Sequence, residues 1–165
     1  MRIRELKLIR YGKFTDRSLT LPFRDRDIHL IVGPNEAGKS TVRTAIGDWR
    51  FGIPMRTPLA FLHPMPELRI GGVVERLGPG EAEEQHLAFD RTKGNKNTLR
   101  TPEDVSLRDG VLHPWLGTLQ AQAFNRMYAL DHTTLVEGGA GILSASDDIG
   151  RMLFQSAAGI EHLGD

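Results

Sequence analysis

Gly33-Pro34-Asn35-Glu36-Ala37-Gly38-Lys39-Ser40-Thr41 fits the phosphate-loop pattern GxxxxGK[ST] at every fixed position, which fall on Gly33, Gly38, Lys39 and Ser40. The motif acts only when a strand feeds the loop and a helix leaves it. Asp27-Ile28-His29-Leu30-Ile31-Val32, just before the loop, is rich in β-branched and apolar residues. It reads as a strand buried on both faces. Just after the loop, Val42, Ala45, Ile46 and Trp49 recur at helical spacing, and Gly52 with Pro54 supplies a stop. The alternative is a glycine-containing turn that happens to carry a lysine. Strand, loop and helix in that order weigh against it.

Each residue type has a chemical reason. Glycines let consecutive backbone N–H groups curl towards one phosphate, and the following helix adds the partial positive charge of its N-terminus. Lys39 is then placed for the β- and γ-phosphates of ATP, and the Ser40 hydroxyl for Mg²⁺.

The 165 residues suit one domain with a real core, and 39% hydrophobic and 25% charged residues are ordinary for a soluble chain. No cysteine occurs, which excludes disulfides and thiolate zinc sites. No apolar run approaches a membrane span and the N-terminus does not read as a signal peptide, so the expected compartment is the cytoplasm, with no membrane partner. The net charge is zero but unevenly spread. Residues 1–60 hold 12 Lys/Arg against 6 Asp/Glu, and residues 61–165 hold 9 against 15. A basic first third can face the phosphates of a nucleotide or of nucleic acid, or be an ordinary solvated surface.

Outward from the loop, residues 1–10 and 17–23 read as an antiparallel pair joined by the turn Tyr11-Gly12-Lys13-Phe14, with Pro22 marking an edge or a strand end. Four prolines between Ile53 and Pro66 make that segment an extended connection. Leu68 to Leu77, Glu84 to Arg91 and Thr98 to Thr101 read as a small antiparallel sheet, separate from the nucleotide-binding one. From His113 the pattern turns helical, with a stripe of Leu116, Leu119, Ala123, Phe124, Met127 and Tyr128. Asp131 and Ser146 are placed to begin two further helices, the second ending at Gly159.

Met-Arg-Ile-Arg-Glu-Leu at the start, Tyr-Gly-Lys-Phe-Thr-Asp at 11–16 and the phosphate loop together resemble the N-terminal part of the ATPase head of SbcC-like and SMC-like chromosome and repair proteins. The runs Phe51-Gly52-Ile53-Pro54, Arg56-Thr57-Pro58, Phe124-Asn125-Arg126-Met127-Tyr128-Ala129-Leu130-Asp131-His132 and Leu153 to Gly159 narrow this to the YhaN-like AAA-domain subgroup of bacterial repair-type ATPases. The resemblance implies an α/β P-loop NTPase fold, the N-terminal lobe of an ABC-ATPase head. Residues 1–60 would form the phosphate-loop core, 61–112 an antiparallel β insert, and 113–165 a helical segment leading towards a coiled coil.

It further implies that a C-terminal half of the same head supplies the signature motif and the catalytic Asp-Glu strand, and that two heads sandwich ATP. No Leu-Ser-Gly-Gly-like signature is present here, and Asp90 and Asp131, which end strand-like runs, are followed by Arg91 and His132 rather than glutamate. Beyond residues 33–41, the resemblance implicates Lys13 and Phe14 beside the nucleotide and places Asp131 near a Mg²⁺-contacting loop. By itself Asp131 reads equally as a helix cap, and Lys13 and Phe14 as an ordinary turn. Arg56, His63 and Arg69 are weaker candidates for contact with phosphate or the partner head. DNA and an SbcD-like metallophosphoesterase nuclease are the further partners implied. A self-contained small P-loop kinase and a non-catalytic module whose nucleotide state governs dimerisation stand as alternatives.

Overall fold

The computed structural model describes residues 1–22, 28–77, 84–129 and 135–136. The chain divides into two compact units, Met1–Ala121 and Gln122–Asp165. Among the described residues of the first unit, five strands form one antiparallel sheet. They are β1 (Arg2–Tyr11), β2 (Phe14–Thr20), β3 (Arg69–Leu77), β4 (Glu84–Thr92) and β5 (Leu99–Arg100), in the order β2-β1-β3-β4-β5. The main helix, α1 (Lys39–Phe51), follows the phosphate loop directly.

Alternation makes the sheet two-faced. Leu6 lies opposite both Leu19 and Gly72, Gly72 opposite Phe89, and Leu8 opposite Ile70. With Val74 and Leu99 these side chains form the core, closed by Ala45, Trp49 and Ile53 from α1 and its exit. Trp49, wholly buried, stacks on Phe89 with ring centroids 4.4 Å apart, and its Nε1 donates to the Phe89 carbonyl at 3.0 Å. Gly72 makes room for it: a Cβ there would stand 2.8 Å from the indole and 2.3 Å from the Glu5 carbonyl oxygen.

On the opposite face Gly71 leaves space for Asp90, whose carboxylate takes the Arg69 Nε donor at 2.7 Å. Arg69 also reaches Asp104 at 2.9 Å. Burial pushes the Asp90 carboxyl above its ordinary range, against the pull of Arg69. The end of α1 is capped from the sheet. Arg91 donates through Nε to the Trp49 carbonyl at 3.1 Å and through Nη2 to the Arg50 carbonyl at 2.8 Å, answering carbonyls that a helix C-terminus leaves open. Burial lowers the Arg91 guanidinium to about 10.

Three expectations need correction. Residues 28–32 are not a buried strand: they pair with no strand among the described residues, and Ile28, Leu30 and Val32 are 98%, 85% and 79% exposed. A buried strand needs neighbours on both edges and layers on both faces, and composition alone supplies neither. The sheet at 69–100 is not separate, because β1 pairs with both β2 and β3 and so joins the N-terminal hairpin to it. The helical stripe after His113 is broken. It comprises α2 (His113–Leu116) and α3 (Ala121–Met127), divided at Gly117, whose φ of +61° ends the first. Met127 and Tyr128 are exposed instead of inward-facing.

In the first unit Arg76 donates to the Pro114 carbonyl and lies over the Trp115 ring, tying α2 to β3. In the second, Phe124 is buried and its ring lies 6.0 Å from that of Tyr128. The helix starts expected at Asp131 and Ser146 lie outside the described residues.

Candidate nucleotide-binding site

The loop at 33–41 leaves the exposed run at 28–32 and enters α1 at Lys39. Its backbone alternates hand. Glu36 sits at φ +63° and Gly38, the N-cap of α1, at φ +102°. Such left-handed positions turn successive amides towards one side, the geometry of an anion-binding nest. A non-glycine residue holding φ above zero stores strain of the kind that gathers at ligand sites. Gly38 also has no room for a side chain, since a Cβ would fall 2.4 Å from Phe14 Cζ. At Gly33 a Cβ would fall 3.0 Å from Ala37 Cβ. Gly38 is thus needed sterically as well as chemically, while Gly33 is only tightly fitted. The first-turn amides of α1 face out of the helix N-terminus, where the helix dipole favours an anion.

Lys39 folds back over the loop, its Nζ donating to the carbonyls of Gly33 and Pro34, each at 2.7 Å. Ser40 is exposed beside it, and Thr41 is half-buried. Pro34, Asn35 and Glu36 are exposed, and the Ala37 amide donates to the Pro34 carbonyl at 3.2 Å. The donor set therefore fits a phosphate chain: a flexible ammonium, a helix N-terminus and a hydroxyl for a cation that keeps most of its oxygen shell from water and phosphate. No cluster of three or more His, Asp or Glu that could cage a metal occurs among the described residues.

Lys13 and Phe14 lie against the loop. The Phe14 ring packs on Gly38, and Lys13 Nζ donates to the Glu36 carbonyl at 2.5 Å. His63 is close by without facing the loop: its Nε2 lies 2.9 Å from the Phe14 carbonyl and 3.2 Å from Thr15 Oγ1. Arg69 is spent on Asp90 and Asp104, and Arg56 is exposed on the proline-rich connection. Asp131 lies outside the described residues.

Pattern reading missed one group. Tyr11, wholly buried, donates its hydroxyl to Asp48 on α1 at 2.5 Å. Burial raises the Asp48 carboxyl to about 6, while the Tyr11 hydrogen bond pulls the other way. Burial first, then the Asp48 bond and charge, push the Tyr11 phenol well above its usual value. An aspartate in the third turn of an otherwise amphipathic helix, spaced three after Ala45 and one before Trp49, was the available signal.

A cavity of about 620 Å³ opens at the far end of α1, lined by Arg50, Arg91, His113, Leu116 and Leu119 among others. Its Arg91 is engaged in capping α1, and it lies away from the phosphate loop.

Comparison with known proteins agrees with the loop. The family model described as an AAA domain matches residues 1–165. The chain is 32% identical over 164 residues to "Uncharacterized protein YhaN" of Bacillus subtilis (strain 168), covering 98% of this chain and 16% of that protein. No solved structure matches. With a small α/β architecture, a phosphate loop opening α1 and a match along its whole length, this chain belongs to the AAA-domain family.

Proposed function

We propose that the chain is the ATP- and Mg²⁺-binding N-terminal lobe of an ABC-type ATPase head, in a repair-type protein of the SMC and SbcC kind. The observation that carries this reading is the junction at residue 33. A run whose apolar side chains Ile28, Leu30 and Val32 stand in solvent leads straight into a phosphate loop whose helix is already packed. A run of that composition gains from burial of its side chains, about 25 cal/mol per Å². We assign its neighbours to a C-terminal half of the same head. The relative is about six times longer than the stretch it shares with this chain, room enough for such a half.

In this reading Lys39 leaves the Gly33 and Pro34 carbonyls for the β- and γ-phosphates, and the amides at 33–41 hold the phosphate chain while Lys13 closes over it. Ser40 would be the side-chain ligand of Mg²⁺, which when bound supplies charge neutralisation between the phosphates. Developing negative charge on the γ-phosphate is then met by donors already in place. The glutamate that activates water comes from the other half, and a second head completes the site. DNA ends are the proposed substrate surface, with a metallophosphoesterase nuclease as partner. Among the described residues a kinase lid has little support, since Arg91 caps α1 and Arg100 pairs with Asp104.

The test is turnover with and without the remainder of the head. This chain alone should bind MgATP without hydrolysing it, and adding the C-terminal half should produce hydrolysis that Lys39→Ala removes. Hydrolysis by the 165 residues alone that depends on Lys39 would refute the half-head reading.

A further inference from the structure

The turn that covers the loop is held from two sides. Its tip touches the loop through Phe14 on Gly38 and Lys13 on the Glu36 carbonyl. Its base is fixed by the Gly12 amide, which donates to the Leu59 carbonyl at 3.0 Å, and by the Tyr11 hydroxyl on Asp48. Gly12 sits at φ +59°, and a Cβ there would stand 2.7 Å from Thr41 Cγ2, so the turn lies hard against the start of α1.

We propose that Tyr11 and Asp48 are positioning residues for the nucleotide site: their part-buried hydrogen bond locks the turn to α1, and so places Lys13 on the phosphates of a nucleoside triphosphate. The inference rests on the nucleotide-binding reading above and deepens it. Because α1 continues from the loop without a break, a bond from the turn to Asp48 fixes Lys13 in the same frame as Lys39. A two-residue turn on its own leaves a long lysine side chain free to sample solvent. Locking it removes that entropy before the ligand arrives.

The pair is costly as mere packing. A half-buried carboxylate next to a buried phenol loses solvation that an apolar pair of similar volume would not lose. Fixing a neighbouring functional group is a benefit an apolar pair cannot supply, because only a directional bond sets the turn's angle on the helix.

The experiment is a MgATP titration of this chain and of Tyr11→Phe, Lys13→Ala, the double variant, Asp48→Ala, Asp48→Asn and Lys39→Ala. Trp49 fluorescence verifies that each is folded. Tyr11→Phe should weaken binding about tenfold, the scale of one hydrogen bond to a charged group, yet by at most about twofold in the Lys13→Ala background. Asp48→Asn, which keeps an acceptor for the Tyr11 hydroxyl, should recover most of what Asp48→Ala loses. An equal loss from Tyr11→Phe in both backgrounds, or no loss in either, overturns the proposal. Unchanged affinity in Lys39→Ala overturns the nucleotide-binding reading itself, whatever the other variants do.

Discussion

β3 and residues 28–32 are both short runs rich in Ile, Val and Leu, yet Ile70 and Val74 are fully buried while Ile28 and Leu30 stand in solvent. What separates them is company. β3 has β1 on one edge, β4 on the other and α1 over one face, all from within residues 1–121. Residues 28–32 have no strand on either edge among the described residues. A strand is therefore a property of its neighbours as much as of its own side chains. The phosphate loop lies where the two conditions meet, with a packed helix behind it and a bare apolar run in front.

This contrast predicts unequal responses to mutation. The largest should come from Trp49→Ala, which empties the space over Gly72, loses the Phe89 stack and abandons a buried acceptor. We expect a loss of about 3–5 kcal/mol in denaturant unfolding. Gly72→Ala should follow with roughly 1–3 kcal/mol, because the new methyl must displace both a backbone carbonyl and the indole. If Gly72→Ala unfolds like the parent, the close packing of α1 on β3 is wrong.

Asp48 gives a smaller effect with a definite sign. Its carboxyl is raised to about 6 in the folded chain, against about 4 when unfolded. Its contribution is thus fully present below about pH 4 and is lost as pH rises through 6. Asp48→Asn should cancel that loss. The variant's stability relative to the parent should rise between pH 4 and pH 8, by on the order of 1–2 kcal/mol after solvent screening of a partly exposed group. A pH-independent difference would contradict the burial assigned to the pair.

Leu30→Ser should do least. In this chain it should change stability by under about 0.5 kcal/mol, as for other exposed positions. With the proposed C-terminal half of the head added, the same substitution should cost about 2–5 kcal/mol. Equal, small effects in both settings would remove the case for a missing partner at 28–32.

Much of this was readable from residues alone. The GxxxxGK[ST] spacing, the helical recurrence of Val42, Ala45, Ile46 and Trp49, and the Gly52 stop together mark a loop and helix, and α1 ends at Phe51. The strands read at 68–77 and 84–91 correspond to the paired β3 and β4, and the N-terminal hairpin was legible from Leu6 and Leu8 against Leu19. The joining of the two through β1 was not, because pairing across about 60 to 70 residues leaves no local trace in either strand. Nor was Tyr11 on Asp48, since a hydrogen bond between a strand end and a helix depends on where the two lie in space. The stripe from Leu116 to Tyr128 misled because one glycine, Gly117, breaks a helix that its apolar residues would otherwise continue.

The central claim is that backbone amides at 33–41 hold a nucleotide's phosphates. Amide NMR of this chain, titrated with MgATP and separately with adenosine, tests it most directly. MgATP should shift the amides of residues 33 and 35–41 together with Lys13 and Phe14, adenosine should leave them in place, and Lys39→Ala should abolish the response. A loop that stays silent while amides elsewhere move, or an equal response to adenosine, would contradict the account.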